Sequence, residues 1–324
     1  MNDISVAFLS RSFQKFLEEK FPVTIVPKER FMEAEYVIGD LFDDSLLRFK
    51  GVKILYTGEN HAADLNTFDY CLTHEYREDD RCHRLPYWHT YLLHREREEL
   101  RRYLLGERPM VTPDELAEKQ TEFCSFVCRN AKGKERNSLV RNLNKIRKVN
   151  CAGPFMNNVG GILPPGFEAK REYQRKHCFS MAYENECGPG YQTEKIVDAF
   201  ISGSIPIYWG NVDVAKEFNP ETFVHARDFR NQKELINYLL DLADDPVRRA
   251  NMINGRILQD ELVFEKCERE LEDFFARIFE RGPGAIQRTR HQRIMGELQK
   301  YYGHGLFRTI RFVSRKIRGK KPNN

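Results

Sequence analysis

At 324 residues, with 41% hydrophobic and 31% charged side chains, the chain has the make-up of a folded enzyme-sized protein rather than a disordered one. No run approaches the ~18 consecutive apolar residues of a membrane span, and the opening Met1-Asn2-Asp3-Ile4-Ser5 has the features of neither a secretory signal nor an N-terminal anchor. The net charge of +4 is uneven: from Arg281 onward twelve Lys or Arg face one acid, Glu297, so the rest of the chain is net negative. Attraction to an anionic surface is therefore expected of the tail alone, and nucleic-acid binding as the main function is not expected.

In chain order, short β-rich runs fall at Ile4–Phe8, Val23–Val26, Glu35–Ile38, Lys53–Tyr56 and Asp69–Leu72. Between the first two, Phe13, Phe16, Leu17 and Phe21 recur at helical spacing. Strand–helix–strand order predicts a parallel sheet covered by helices. The Arg- and Glu-rich stretch from Leu92 to Arg108 reads as a connection, and Thr112-Pro113-Asp114-Glu115 as a helix start. A second series follows, with strands at Glu122–Cys128, Val149–Cys151, Cys178–Tyr183, Ile205–Trp209 and Thr222–His225. Helices are expected at Glu135–Lys148, Glu168–Lys176, Thr193–Ser202, Gln232–Leu242 and Phe264–Glu280. The predicted class is α/β with two Rossmann-like domains facing a cleft: residues 1–108 on the acceptor side, 109–280 binding the donor, and 281–324 a basic amphipathic tail. The eight scattered cysteines contain no C-x-x-C pair and read as reduced, mostly buried thiols.

Chemical groups concentrate between Tyr183 and Gly210. A loop containing Gly188 and Gly190 leads into a predicted helix beginning at Thr193-Glu194-Lys195-Ile196. A glycine loop entering a helix presents free N–H groups that suit a diphosphate. Glycines alone are weak evidence, but here Asn185, Tyr191, Glu194 and Lys195 accompany them.

This stretch resembles the signature of the α1,3-fucosyltransferase family: Glu184-Asn185, seven residues, then Thr193-Glu194-Lys195-Ile196. The similarity runs on through Asp198-Ala199-Phe200, Ile205-Pro206-Ile207-Tyr208-Trp209-Gly210, Val214-Ala215-Lys216, Phe218-Asn219-Pro220 and Phe223-Val224. Upstream it takes in Tyr56-Thr57-Gly58-Glu59-Asn60 and Phe68-Asp69-Tyr70. The resemblance implies a GT-B-like fold and inverting transfer of fucose from GDP-fucose to an N-acetylglucosamine-containing glycan such as N-acetyllactosamine, by default α1,3-linked. It implies that Glu194 bonds the ribose hydroxyls, that Lys195 and Arg136 meet the phosphates, and that Asn185 and Tyr191 help hold the donor. Arg129 is a second, weaker choice for the phosphate arginine. Another linkage or GDP-sugar, or an inactive sugar-nucleotide binder, are the alternatives. Pro189, Gln192 and Tyr183 depart from the usual pattern and leave the loop's shape open.

The chain contains no D-x-D triplet. Fixed cations are therefore expected to stabilise the leaving diphosphate with no cofactor required, Mn or Mg acting at most indirectly. The base that deprotonates the acceptor hydroxyl is expected to be Glu59, beyond the apolar strand ending at Tyr56, where ligands of open α/β sheets gather; the resemblance points to the same position. A turn carboxylate is the alternative role for Glu59. Tyr87 and Trp88 offer aromatic faces for an acceptor sugar, with His61 beside them in role, or else they pack the core. In the tail, Leu306, Ile310, Val313 and Ile317 form a helical stripe among Arg308, Arg311, Arg315, Lys316, Arg318, Lys320 and Lys321. This suggests a helix lying on an anionic membrane, and hence a cytoplasmic protein held at the inner membrane face.

Overall fold

The computed structural model describes residues 4–9, 13–40, 44–93 and 97–284, together with 288, 292, 294 and 295. Two compact units emerge, one of Met1–Leu85 with Lys266–Asn324 and one of Pro86–Glu265. The division therefore falls at 85/86, not at the expected 108/109, and the chain returns to the first unit at 266.

The first unit runs β1 (Ile4–Phe8), α1 (Gln14–Lys20), β2 (Val23–Val26), β3 (Tyr36–Gly39), β4 (Val52–Tyr56), β5 (Tyr70–Thr73) and β6 (Cys82–Arg84). All pairings are parallel, in the order β2-β1-β3-β4-β5-β6. β3, β4 and β5 are buried along their whole length. That is why they read as unbroken apolar runs rather than alternating ones: a central parallel strand is covered on both faces.

The second unit runs α2 (Tyr87–Leu92), α3 (Glu98–Leu104), α4 (Pro113–Lys119), β7 (Glu122–Phe126), α5 (Lys134–Leu143), β8 (Val149–Cys151), α6 (Phe167–Gln174), β9 (His177–Tyr183), α7 (Glu194–Ile201), β10 (Ile205–Trp209), β11 (Val224–His225), α8 (Gln232–Ala243) and α9 (Pro246–Asn254). Its sheet is also wholly parallel, ordered β11-β10-β9-β7-β8. The chain winds from β7 to β8 on one side and through β9, β10 and β11 on the other. The direction thus reverses between β7 and β9, and beyond the carboxyl ends of those two strands lies the crevice where such sheets take ligands.

The expected linker at 92–108 belongs to this unit's core. Leu92 and Leu104 are buried with Trp88, Val197, Phe218 and Phe264. The charges that suggested a connector spread over rings instead: Arg97 lies 3.9 Å from the Tyr91 centroid and Arg101 4.7 Å from that of Phe264. The start of α4 is as expected, with Thr112 and Glu115 forming a reciprocal capping box.

The final helix, α10 (Val263–Arg281), was expected in the second domain but from Lys266 belongs to the first unit. Its buried Leu271, Phe274, Phe275 and Ile278 form one helical stripe. Within that unit, Phe275 meets Phe13 at 5.8 Å, Phe279 meets Tyr36 at 5.1 Å and Phe274 meets Tyr70 at 6.1 Å. Lys20 on α1 adds an ion pair to Glu272 at 2.8 Å. Among the described residues no helix is long and apolar enough to cross a membrane. The tail stripe from Leu306 to Ile317 lies outside the described residues.

Candidate functional site

At the reversal point of the second sheet a cavity of about 240 Å³ opens. Its walls come from three strand ends: Lys132, Gly133, Lys134, Glu135 and Arg136 after β7, Tyr183, Glu184 and Asn185 after β9, and Trp209 closing β10. Each strand ends where its apolar run gives way to polar residues, so polar side chains collect on one edge of an apolar sheet. Tyr183 and Trp209 stack 5.9 Å apart at 12° and form an aromatic wall.

Arg136 is 3% exposed. Its guanidinium donates to the Asn130 carbonyl and, at 3.4 Å, to Asn185 Oδ1, and lies over the Phe126 ring. Its Nε has no hydrogen-bond partner among the described residues. Two expected donor-site residues, Arg136 and Asn185, are thus brought together at one cavity.

Lys195 and Glu194 stand at the start of α7 beside Glu184, a motif residue whose role the sequence does not show. Glu184 is 1% exposed. Its carboxylate accepts from Thr193 N–H at 2.7 Å, from Thr193 Oγ1 at 2.8 Å and from Lys195 Nζ at 2.8 Å. The side chain fits because position 210 is glycine: a Cβ there would sit 2.5 Å from Glu184 Cγ. Burial works against the Lys195 charge, but Glu184 and Glu194 outweigh it and raise its pKa above the ordinary lysine value. Burial likewise pushes the Glu194 carboxyl up, yet Lys195 and Lys170 prevail and hold it below the ordinary glutamate value. The expected diphosphate seat at this helix start therefore already holds a carboxylate.

The loop between β9 and α7 is tied down from below. Asn211, fully buried, accepts from Gly190 N–H at 2.7 Å and donates to Gln192 Oε1 at 2.7 Å. Gly190 takes φ 76°, a conformation that favours glycine. Tyr191 is 2% exposed and its carbonyl accepts from Tyr208 at 3.5 Å, so its ring is core more than lining.

Of the two aromatic acceptor residues, Trp88 needs correction. Trp88 is fully buried, packs on Phe218 at 5.0 Å and donates from Nε1 to Glu217 at 2.8 Å. Its faces are spent on the core, and none is left for a sugar. Tyr87 is half-buried and belongs to the second unit, not the first. Burial, then the nearby Glu194 charge, raises its pKa. In the first unit Glu59 is exposed three residues past β4, its N–H bonded to Thr57 Oγ1 at 3.2 Å. His61 is half-buried two residues on, its N–H donating to the Glu59 carbonyl at 2.7 Å.

Two wholly parallel α/β sheets, one with a cationic cavity at its reversal point, make the architecture GT-B-like. Residues 116–252 match the family described as glycosyltransferase family 10 (fucosyltransferase) C-term, and residues 7–91 match the alpha-(1,3)-fucosyltransferase FucT N-terminal domain. Over residues 116–252 the chain is therefore similar to glycosyltransferase family 10. It is 33% identical over 218 residues to alpha-(1,3)-fucosyltransferase FucT of Helicobacter pylori, covering 60% of this chain and 45% of that protein. To putative fucosyltransferase R654 of Acanthamoeba polyphaga mimivirus it is 25% identical over 255 residues, 75% of this chain and 40% of that one. The chain thus spans less than half the length of these two relatives. Among solved structures it is similar to an alpha1,3-fucosyltransferase, with a TM-score of 0.70 at 25% identity over 89% of this chain and 92% of the other. It is similar also to an alpha1,3-fucosyltransferase with GDP, at 0.68 and 25% over 88% and 92%.

Proposed function

We propose that the chain transfers L-fucose from GDP-fucose, with inversion, to a hydroxyl of an N-acetylglucosamine-containing glycan, by default in α1,3 linkage. The observation that carries this reading is the cavity at the β7/β9 reversal point, walled by buried Arg136 and lying within the stretch that matches family 10. In the proposed reaction Glu59 takes the proton of the incoming hydroxyl as the bond from the fucose anomeric carbon to the diphosphate oxygen breaks. Charge then builds on GDP, and fixed cations must receive it without reorganising. Arg136 is the leading cation. Lys195, tied to Glu184, is the second. Glu194, held charged by its lysines, suits the ribose hydroxyls as an acceptor, and Asn185 completes the donor side, with buried Tyr191 supporting the loop behind it. His61 remains a proposed acceptor contact.

This scheme routes no step through a metal. Purified protein given GDP-fucose and N-acetyllactosamine in EDTA should release GDP, and Glu59→Ala should lose turnover while still binding GDP. No turnover with any β-galactoside acceptor would remove the substrate assignment, and an active Glu59→Ala would remove the base. We further propose that the basic tail rests on an anionic membrane at its cytoplasmic face. Deleting Leu306–Asn324 should then release the protein from anionic vesicles, and unchanged binding would defeat the idea.

A further inference from the structure

The first unit gathers its chemistry at the carboxyl ends of three adjacent strands. Glu59 stands three residues past the end of β4, and Tyr76 three residues past the end of neighbouring β5. Arg84 closes β6, the next strand, and pairs in register with Thr73. Two hydrogen bonds lace the loop carrying Glu59 to the end of β5. Thr57 N–H donates to the Leu72 carbonyl at 3.3 Å, and Ala63 N–H to the Glu75 carboxylate at 2.8 Å. These bonds fall on either side of Glu59 in the chain, and the second is made by the residue before Tyr76. The carboxylate loop and the aromatic loop are thereby held together.

Tyr76 is 46% exposed. Of the large apolar side chains exposed among the described residues of this unit, it alone is aromatic. Leaving such a ring in water forgoes the gain of burying it. Its orientation is nonetheless fixed, because the half-buried Arg84 guanidinium lies over it, 4.4 Å from the ring centroid. An oriented, exposed ring next to a loop with an exposed carboxylate suits one class of ligand. A pyranose has a face of C–H bonds and a rim of hydroxyls. The face lies on an aromatic ring while the rim hydrogen-bonds to polar groups beside it.

We propose that Tyr76 is the stacking platform for the acceptor sugar, oriented by Arg84, with the rim of the sugar turned toward Glu59 and His61. This rests on the reading of Glu59 as the base for a glycan hydroxyl. It supplies from the first unit the aromatic face that buried Trp88 does not offer. Arg84 acts through the ring and is a positioning residue.

The test is steady-state kinetics of the full chain with GDP-fucose saturating and N-acetyllactosamine varied. Saturation-transfer NMR of N-acetyllactosamine, with GDP in place of the donor, reads binding without turnover. Tyr76 is exposed and lies outside any strand, so its variants should fold. Tyr76→Ala should raise the acceptor KM about tenfold with kcat little changed, because a stacked sugar face is held equally in ground and transition states. Tyr76→Phe keeps the ring and should stay within about twofold of the parent. Arg84→Gln should raise the acceptor KM about threefold. GDP affinity should be unchanged in all three. Protons of one sugar face should receive saturation in the parent and in Tyr76→Phe, and lose it in Tyr76→Ala. An unaltered acceptor KM in Tyr76→Ala, with turnover intact, overturns the platform and leaves fucosyl transfer standing. Equal losses in Tyr76→Phe and Tyr76→Ala also overturn it, since the hydroxyl and not the ring would be the contact. An unchanged KM in Arg84→Gln removes the arginine from the subsite. Should sugar binding depend on Tyr76 while GDP-fucose is never turned over, the platform stands and the fucosyl-transfer reading falls. If the parent chain neither binds nor fucosylates any β-galactoside, both fall.

Discussion

The starts of α5 and α7 look alike in outline: each helix follows a strand of the same sheet through a glycine-containing loop. They differ in the charge that stands at the cap. Glu184, at the end of β9, holds the N-cap residue Thr193 of α7 with its carboxylate, and Lys195 balances that charge. α5 is left open and carries a buried guanidinium in place of a cap. A motif therefore shows a helix start without showing which charged side chains stand at it.

The largest expected effect tests the open start. Arg136→Ala should lower kcat/KM for GDP-fucose by about 100- to 1000-fold, the scale for losing one fixed donor to developing charge. Steady-state kinetics would show it, and a loss below about fivefold would mean that another cation receives the leaving group. Next comes the closed start. Glu184→Gln leaves the Lys195 charge in a mostly buried place without its carboxylate, and should cost about 3 kcal/mol in urea unfolding. Adding Lys195→Met should restore most of that loss. If the double variant is no more stable than the single one, the pair is not what holds α7.

How far this contrast was legible in the sequence depends on distance along the chain. β1, β2, β8 and β10 fall where the sequence runs predict: β8 and β10 write their burial into consecutive residues, whereas β2, an edge strand with one exposed and three half-buried residues, is legible because Val23, Thr24, Ile25 and Val26 are all β-branched. α3 was hidden by the charges in and before it, of which Arg97 and Arg101 cover rings in this unit instead of facing water along a linker. α10 is contiguous with the second unit in sequence but packs in the first from Lys266, a choice made by Phe13, Tyr36 and Tyr70 some two hundred residues earlier. In the site, Asn185 could be picked out in its motif beside the glycines, and Arg136 through the family resemblance. Glu184 stands in the same motif, but its role was not legible, since its partners lie nine and eleven residues on and meet it only after the chain reverses through Gly188–Gly190. A carboxylate directly ending an apolar strand was the one available signal. Trp88 offered two equal readings, and its Nε1 partner, Glu217, is too far along the chain to have chosen between them.

A third helix start calibrates the first two. α8 is closed by a neutral side chain, Asn231, whose Oδ1 accepts from Glu234 N–H at 3.0 Å. Asn231→Ala should cost about 1 kcal/mol in unfolding with no change in GDP affinity. A cost as large as that of Glu184→Gln would show that capping, not charge balance, accounts for the α7 result.

The smallest effect reads the charge at α7 through pH. Glu194 has a folded-state pKa below its usual value because Lys195 and Lys170 overcome the penalty of burial. A carboxyl lowered on folding stabilises the native state above its unfolded pKa of about 4.5 and loses that contribution as pH falls through the folded value. The net effect is the remainder of two opposed ones, so it should be modest. Stability measured by urea unfolding from pH 6 to pH 3 should fall less steeply in Glu194→Gln than in the parent chain. An unchanged acid slope would mean that the lysines at this helix start are fully engaged by Glu184 and Asp198, leaving Glu194 without the charge support that makes it a ribose acceptor.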